Sequence, residues 1–228
     1  MLLKKFNDLP EEFQNENVLR YYEILKKKTF SLVFKRLFDI IFSICFILIF
    51  SPVFIIISMS IAINSGFPII YKQSRITQFG KEFKVYKFRT MVKNADKIGS
   101  LVTVDNDARI TKIGKILRKF RLDELPQIFN VLFGNMTLVG TRPEVKKYVD
   151  DYTPEMLATL LLPAGITSIT SIKYKDEAEL LKKCDNVDEI YIKEILPAKM
   201  RYNLQYIENF NFLNDIGVLL KTVIAVIK

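Results

Sequence analysis

Between Leu37 and Ile63 the chain reads LFDIIFSICFILIFSPVFIIISMSIAI, and Asp39 is its only charged residue. A soluble core helix is seldom apolar on every side for so long, so this run reads as a membrane segment. As one straight helix it would extend about 40 Å, more than the roughly 30 Å of a bilayer's hydrocarbon layer. Ser51-Pro52 falls at its centre. Proline removes an amide donor and crowds the preceding turn, so a kink or break is expected there. One reading is a tilted, kinked spanning helix, since membrane helices tolerate proline. The other is a re-entrant hairpin that dips into one leaflet and returns.

The flanking charges separate these readings. Upstream lie Lys26, Lys27, Lys28, Lys35 and Arg36; downstream lie Lys72, Arg75, Lys81, Lys84, Lys87 and Arg89. A spanning helix concentrates Lys and Arg on its cytoplasmic side. Basic residues on both flanks favour a re-entrant segment with both ends on one face. The whole chain carries 34 Lys and Arg against 25 Asp and Glu, a formal charge of +9, which calls for an acidic partner. It contains no histidine. That excludes serine–histidine triads and His-ligated zinc. Cys45 and Cys184, one in the apolar run and one in a polar segment, make neither a disulfide framework nor a Cys-ligated metal site. No secretory signal is expected, because the first apolar run lies well inside the chain and lacks a small-residue cleavage site.

Around this segment the pattern is mostly helical. LPEEFQNENVLRYYEILKKK reads as a polar helical extension, and GFPIIYKQSRITQFGKEFKVYKFRTM as one or two short strands punctuated by Gly66, Pro68 and Gly80. NADKIGSLVTVDNDARI has loop chemistry. ITKIGKILRKF spaces Ile110, Ile113, Ile116, Leu117 and Phe120 at helical intervals with Lys and Arg opposite, a basic amphipathic helix suited either to an anionic membrane surface or to an ordinary solvated face. Further helices are expected over DELPQIFNVLFGN, ended by Gly134-Asn135, and over TPEMLATLLLP, with Thr153 as N-cap and Pro154 first inside. Two more are expected over the charged stretch interrupted by Pro197 and over FLNDIGVLLKTVIAVIK. The last is too short to span convincingly.

One stretch concentrates chemistry: RLDELPQIFNVLFGNMTLVGTRPE, Arg121 to Glu144. Neighbours on a helix point about 100° apart, so Asp123 and Glu124 cannot sandwich one group, but at a helix start they can serve two adjacent tasks. The helix dipole and free amides there favour bound phosphate, and Arg109, Arg118, Lys119, Arg121 and Arg142 lie near in sequence. Arginines clamp diphosphates bidentately, and a carboxylate can attack phosphorus to form an acyl phosphate. Asp-Glu is equally good helix-start composition beside a solvated basic patch, and the residues alone leave both readings open.

The pieces KRLFDIIFSICFILIFSP, FKVYKFRTM, DARITKIGKILRKFRLDELPQ, FNVLFGNMTLVGTRPE and LLPAGITS, in this order from Lys35 to Ser168, resemble the bacterial sugar transferases, the small monotopic phosphoglycosyl transferases acting on polyprenol phosphate. A family-like YNLQYIENFNFLNDIGVLLKT follows. The resemblance implies an α/β, mostly helical chain in three parts: an N-terminal helical extension (1–34), a re-entrant membrane helix–break–helix bent at Ser51 and Pro52 (35–65), and a cytoplasmic catalytic domain with short strands and interfacial helices (66–228). It implies Asp123 as nucleophile towards a UDP-sugar, with UMP released, and Glu124 as the acid that helps bind Mg²⁺. It implies undecaprenyl phosphate as acceptor and membrane lipid as a partner, on the cytoplasmic face of a bacterial inner membrane. Lys87, Arg89 and Arg118 match positions suited to phosphate charge, Arg142 and Pro143 an element tied to the nucleotide, and Arg109 and Thr111 the DxRIT loop. Headgroup contact is the competing role for Arg109, Arg118 and Arg121. No nucleic-acid module is recognisable, so no nucleic-acid partner is expected, and the oligomeric state stays open, a homodimer included. Thr141 stands where the family has proline, Pro163-Ala164-Gly165 where Arg/Lys-Pro-Gly is common, and ITSIKYKDEAELL where relatives carry Gly-Trp-Ala-Gln. These departures bear on sugar specificity more than on the reaction. A membrane-anchored, non-catalytic basic scaffold is the alternative.

Overall fold

The computed structural model describes residues 3–95, 107–174 and 187–227. It is mostly helical, with two small sheets and one long apolar helix near the start. Two 3-10 turns, Phe6–Asp8 and Glu11–Phe13, lead into α1 (Glu16–Lys27). Asn15 caps α1 by accepting the Val18 amide at 3.0 Å. The helix buries Val18, Tyr21, Tyr22 and Leu25 against Leu160, Leu161, Ile207 and Phe210. The N-terminal extension is therefore part of the core.

Helix α2 (Thr29–Ser65) runs for 37 residues, about 55 Å at the usual rise. It starts upstream of Lys35 and stays helical through Pro52 rather than breaking there. The local chemistry explains the continuity. Pro52 has no amide to offer the Leu48 carbonyl four residues back, and the Ser51 hydroxyl donates to that carbonyl at 2.9 Å instead. Only 11% of the helix's most apolar window is buried, too little for a core helix.

Both halves of α2 pack on the same body. Arg36 donates to the Val131 and Leu132 carbonyls at 2.6 and 2.9 Å, and Asp39 accepts from the Thr137 hydroxyl and the Leu138 amide. Beyond Pro52, Phe54 meets Phe129, and Ile57 and Ile61 are buried with Phe88 and Leu117. Near its start, Lys35 forms a buried ion pair with Asp215.

Strands β1 (Ile70–Ile76) and β2 (Glu82–Phe88) form an antiparallel hairpin, with Gln73 opposite Val85. Gly80 turns the chain with φ 70°, a conformation glycine adopts without strain. The expected loop after it falls mostly outside the described residues, as does Cys184. Helix α3 (Lys112–Lys119) has Thr111 as N-cap, accepting the Gly114 amide at 3.0 Å. Its apolar residues divide: Leu117 is buried and Ile113 packs beside it, while Ile116 and Phe120 face outward.

The helix expected over DELPQIFNVLFGN is two pieces: a 3-10 turn, Leu122–Glu124, and α4 (Gln127–Leu132). Arg121 sits in the left-handed region (φ 53°), and that turns the chain between α3 and the acid pair. Gly134, at φ 86°, closes the turn after α4. Sequence patterning missed β3 (Met136–Val139) and β4 (Ala164–Thr167), a parallel pair with Met136 opposite Ala164. Every residue of β3 is buried, so it shows no alternation. The TPEMLATLLLP helix is a 3-10 stretch, Met156–Leu161, although Thr153 accepts the Met156 amide as expected.

Short helices α5 (Lys146–Val149) and α6 (Ile169–Lys173) follow β3 and β4 in the chain. Helix α7 (Val187–Ile190) continues through a π-turn, Tyr191–Ile195, into α8 (Leu196–Glu208), and α9 (Phe212–Ile227) follows. Pro197 is the source of the π-turn. In a regular α-helix its ring would clash with the carbonyl four residues back, and here the Leu196 amide reaches five residues back to Tyr191.

Candidate active site

The acid pair sits on the 3-10 turn between α3 and α4, facing the end of β2. Lys87, at that end of β2, donates to Glu124 Oε1 at 2.8 Å, and Arg142 donates to the same oxygen at 3.2 Å. Burial alone would raise the Glu124 pKa, but Arg142 and Lys87 hold it far below the usual carboxylate range. Asp123 goes the other way. Burial and the neighbouring Glu124 charge raise its pKa, against the pull of Lys87 and Arg118. Adjacent carboxylates in one site thus have opposite shifts, the pattern of a pair with divided roles.

Arg118, on the last turn of α3, is held through Nε by the Thr90 hydroxyl at 2.9 Å. Its burial lowers its pKa and the Asp123 charge raises it, so guanidinium and carboxylate share one electrostatic neighbourhood. Lys87, Arg118, Asp123, Glu124 and Arg142 therefore form one cluster. Pro143 lies beside it through its chain neighbour Arg142, and its carbonyl accepts from Arg75 at 3.3 Å.

Arg89 and Arg109 are placed elsewhere. Arg89 is buried under the end of α2, and its Nη2 donates to the Ser65 and Gly66 carbonyls at 2.7 and 2.5 Å. Its Nε and Nη1 are buried without a hydrogen-bond partner among the described residues. Arg109 pairs with Asp107 at 2.6 Å and donates to the Ala95 carbonyl at 2.8 Å. Ser51 and Pro52 lie at the exposed middle of α2.

Magnesium takes one or two carboxylates and fills its shell with water and substrate phosphate. Glu124 fits that demand: Lys87 and Arg142 both donate to Oε1, and Oε2 makes no hydrogen bond among the described residues. Those residues contain no cluster of three or more potential ligands, so no all-protein cage is present there.

A second layer escaped sequence reading. Glu144 is buried behind Arg142, where it accepts from the Tyr191 hydroxyl at 2.6 Å and from Lys199 at 3.1 Å. Arg75 lies 3.9 Å from its other oxygen. Tyr191 opens the π-turn, so Pro197 helps bring Tyr191 and Lys199 together on Glu144. The stretch that carries Tyr191 and Lys199 is rich in charge, and no spacing signal marks these partners.

The chain that carries this long apolar helix, acid pair and set of converging cations has relatives among known proteins. A family model described as bacterial sugar transferase matches residues 30–228. The chain belongs to the bacterial sugar transferase family. It is 32% identical over 166 residues to a UDP-N-acetylgalactosamine-undecaprenyl-phosphate N-acetylgalactosaminephosphotransferase of Aeromonas hydrophila, covering 72% of this chain and 36% of that protein. It is 35% identical over 170 residues to a UDP-glucose:undecaprenyl-phosphate glucose-1-phosphate transferase of Klebsiella pneumoniae, covering 72% and 34%. An uncharacterized sugar transferase of Bacillus subtilis, EpsL, is 32% identical over 163 residues, 72% of each chain. The chain thus spans about a third of the length of the first two relatives.

Proposed function

We propose that this sugar transferase moves a sugar-1-phosphate from a UDP-sugar to undecaprenyl phosphate through a covalent intermediate on Asp123. The observation that carries the reading is the half-buried Asp123–Glu124 pair set among Lys87, Arg118 and Arg142. In the first step a carboxylate oxygen of Asp123 attacks the β-phosphorus. The bond from that phosphorus to the bridging oxygen breaks, and UMP leaves with the electron pair. In the second step a phosphate oxygen of the lipid attacks the same phosphorus, restoring the Asp123 carboxylate and giving a polyprenol-diphosphate-sugar. Burial makes the Asp123 carboxylate more basic than a free one, and therefore more nucleophilic once ionised. Lys87 and Arg142 hold Glu124 ionised and face the incoming diphosphate. Glu124 would hold Mg²⁺, which would neutralise charge on that diphosphate when bound.

The reading places α2 as a re-entrant foot in a bacterial inner membrane, with the body on the cytoplasmic face. Support comes from the two halves of α2, which both pack on the one body. A helix crossing the bilayer would carry one end to the far side. Exposed Ile116, Phe120, Phe133, Leu213, Leu220 and Val223 supply apolar contacts for the lipid surface. A non-catalytic scaffold has no use for a half-buried acid pair with divided pKa shifts.

The test incubates the detergent-solubilised protein with a panel of UDP-sugars, undecaprenyl phosphate and Mg²⁺, and follows UMP. Donor alone is expected to leave a sugar-phosphate mass adduct on Asp123. Asp123→Asn is expected to abolish both adduct and turnover. Donor-dependent UMP release that survives this substitution sinks the mechanism.

A further inference from the structure

Thr90 follows the strand that carries Lys87, and nothing in its sequence motif marks it as more than a small polar residue. In the fold it sits at a junction. Its carbonyl accepts the Thr111 amide at 2.9 Å and the Thr111 hydroxyl at 3.2 Å, tying the start of α3 to the end of β2. Its hydroxyl accepts Arg118 Nε at 2.9 Å, tying down the last turn of the same helix. Between them stands Gly114. A Cβ built there would lie 2.0 Å from the Thr90 carbonyl oxygen, a backbone atom that cannot swing aside. Glycine at 114 is what lets α3 lie flat against Thr90.

We infer that Thr90 is a positioning residue for the transfer reaction: with Gly114 it fixes the register of α3 and aims the Arg118 guanidinium at the Asp123 phosphoryl site. The geometry supports this in two ways. A guanidinium presents five donors in a rigid fork, so fixing Nε fixes the direction of the terminal Nη groups. Among the contacts between described residues, Arg118 is held through Nε by a neutral acceptor, whereas Lys87 and Arg142 donate to Glu124 itself. Arg118 is thus aimed before any substrate arrives and stays available to phosphate oxygens. Pre-orientation of this kind lowers the reorganisation needed in the transition state. Displacing a catalytic group by about 1 Å can cost on the order of a hundredfold in rate.

The inference rests on the proposed reaction, and its test separates the two. Thr90→Val, Thr90→Ala and Thr90→Ser are made in the full chain, each confirmed folded by its melting temperature. Thr90→Val is expected to lower kcat for UMP release at least tenfold, about 1.4 kcal/mol of barrier, with donor KM moving little. Thr90→Ala should do the same without the risk of overpacking by the valine methyl. Thr90→Ser keeps the hydroxyl and should stay within about threefold of wild type. In an Arg118→Ala background Thr90→Ala should add no further loss, because the group it aims is gone. Independently of turnover, the Arg118 Nε–H signal of arginine-labelled protein should be protected from exchange in wild type and Thr90→Ser, and unprotected in Thr90→Ala. An unchanged Nε–H signal in Thr90→Ala, full activity in Thr90→Ala and Thr90→Val, or additive losses with Arg118→Ala overturns the inference. Wild type that releases no UMP from any donor overturns the reaction itself and leaves Thr90 no catalytic role, whatever the Nε–H signal shows.

Discussion

At the residue scale, the buried Glu144–Tyr191–Lys199 group makes the sharpest stability claim. Glu144 and Lys199 are 7% and 5% exposed, so neither charge is solvated once its partner is removed. Breaking a buried pair from one side costs about 3–5 kcal/mol, whereas replacing both partners with apolar or neutral groups costs much less. Lys199→Met is therefore expected to melt well below wild type, and Glu144→Gln with Lys199→Met to recover much of the loss in a thermal melt. The pH dependence follows from the sign of the shift. Burial would raise the Glu144 pKa, but Lys199, Tyr191 and Arg75 lower it below that of a free glutamate. Its contribution is then full above about pH 4.3, the unfolded value, and declines as pH falls through the lower folded value. The stability gap between wild type and Glu144→Gln should narrow below pH 4.3. A gap that widens there contradicts the assignment. Asp123 and Glu124 were legible in sequence through their motif, but Glu144's partners were not, because Tyr191 and Lys199 reach it from a helix far along the chain. Arg89 and Arg109 show the reverse: the motif singled them out, and the fold gives one to the end of α2 and the other to Asp107.

At the element scale, α2 and its proline carry the proposed membrane contact. Sequence showed the length and the unusual centre of this helix, because twenty or more apolar residues leave few alternatives. It did not show that helical structure would persist through Pro52, since that depends on the Ser51 hydroxyl taking over the Leu48 carbonyl. The expected cost of Ser51→Ala is about 1 kcal/mol, the size of one hydrogen bond in an apolar setting. It should appear as a lower melting temperature in detergent with turnover retained at low temperature. The topology has its own measurement. Single cysteines replacing Thr29 and Asn64, in a background with Cys45 and Cys184 replaced by serine, bracket the apolar helix. A re-entrant α2 predicts that a membrane-impermeant maleimide labels neither in intact cells and both in inverted vesicles. Labelling of one site from each side means a spanning helix. The strands were unevenly legible for a related reason. β1 and β2 are a hairpin with a glycine turn, a local signal, whereas β3 and β4 are four-residue buried strands paired across an intervening segment.

At the scale of the whole molecule, the N-terminal extension shares a core with the body that follows α2. Family similarity begins at residue 30, so α1 and the turns before it lie outside the matched region. Yet Phe13, Val18 and Leu25 are fully buried, and they pack against Leu161, Ile207 and Phe210 of the body that follows α2. Tyr21 donates to Glu155 at 2.7 Å and Arg20 pairs with Glu208 at 2.8 Å, so both the 3-10 stretch and α8 are tied to α1. Sequence reading saw the helix but not this packing, because a polar amphipathic helix does not say which surface receives its apolar face. Emptying a buried aromatic site costs about 3–5 kcal/mol, and Leu to Ala about 2–5 kcal/mol. A domain has roughly 5–15 kcal/mol of stability in all. Phe13→Ala is therefore expected to lower the melting temperature markedly while Asp123 still forms its adduct in the cold. Removal of residues 1–27 strips all these contacts at once, and should leave a chain that is cleaved rapidly by added protease and releases no UMP. The discriminating comparison is α1 supplied in trans: a peptide of residues 3–27 should bind the shortened chain and restore protease resistance, and the same peptide carrying Phe13→Ala and Leu25→Ala should not. A shortened chain as stable and active as the full one shows that the buried face of α1 contributes nothing to the body.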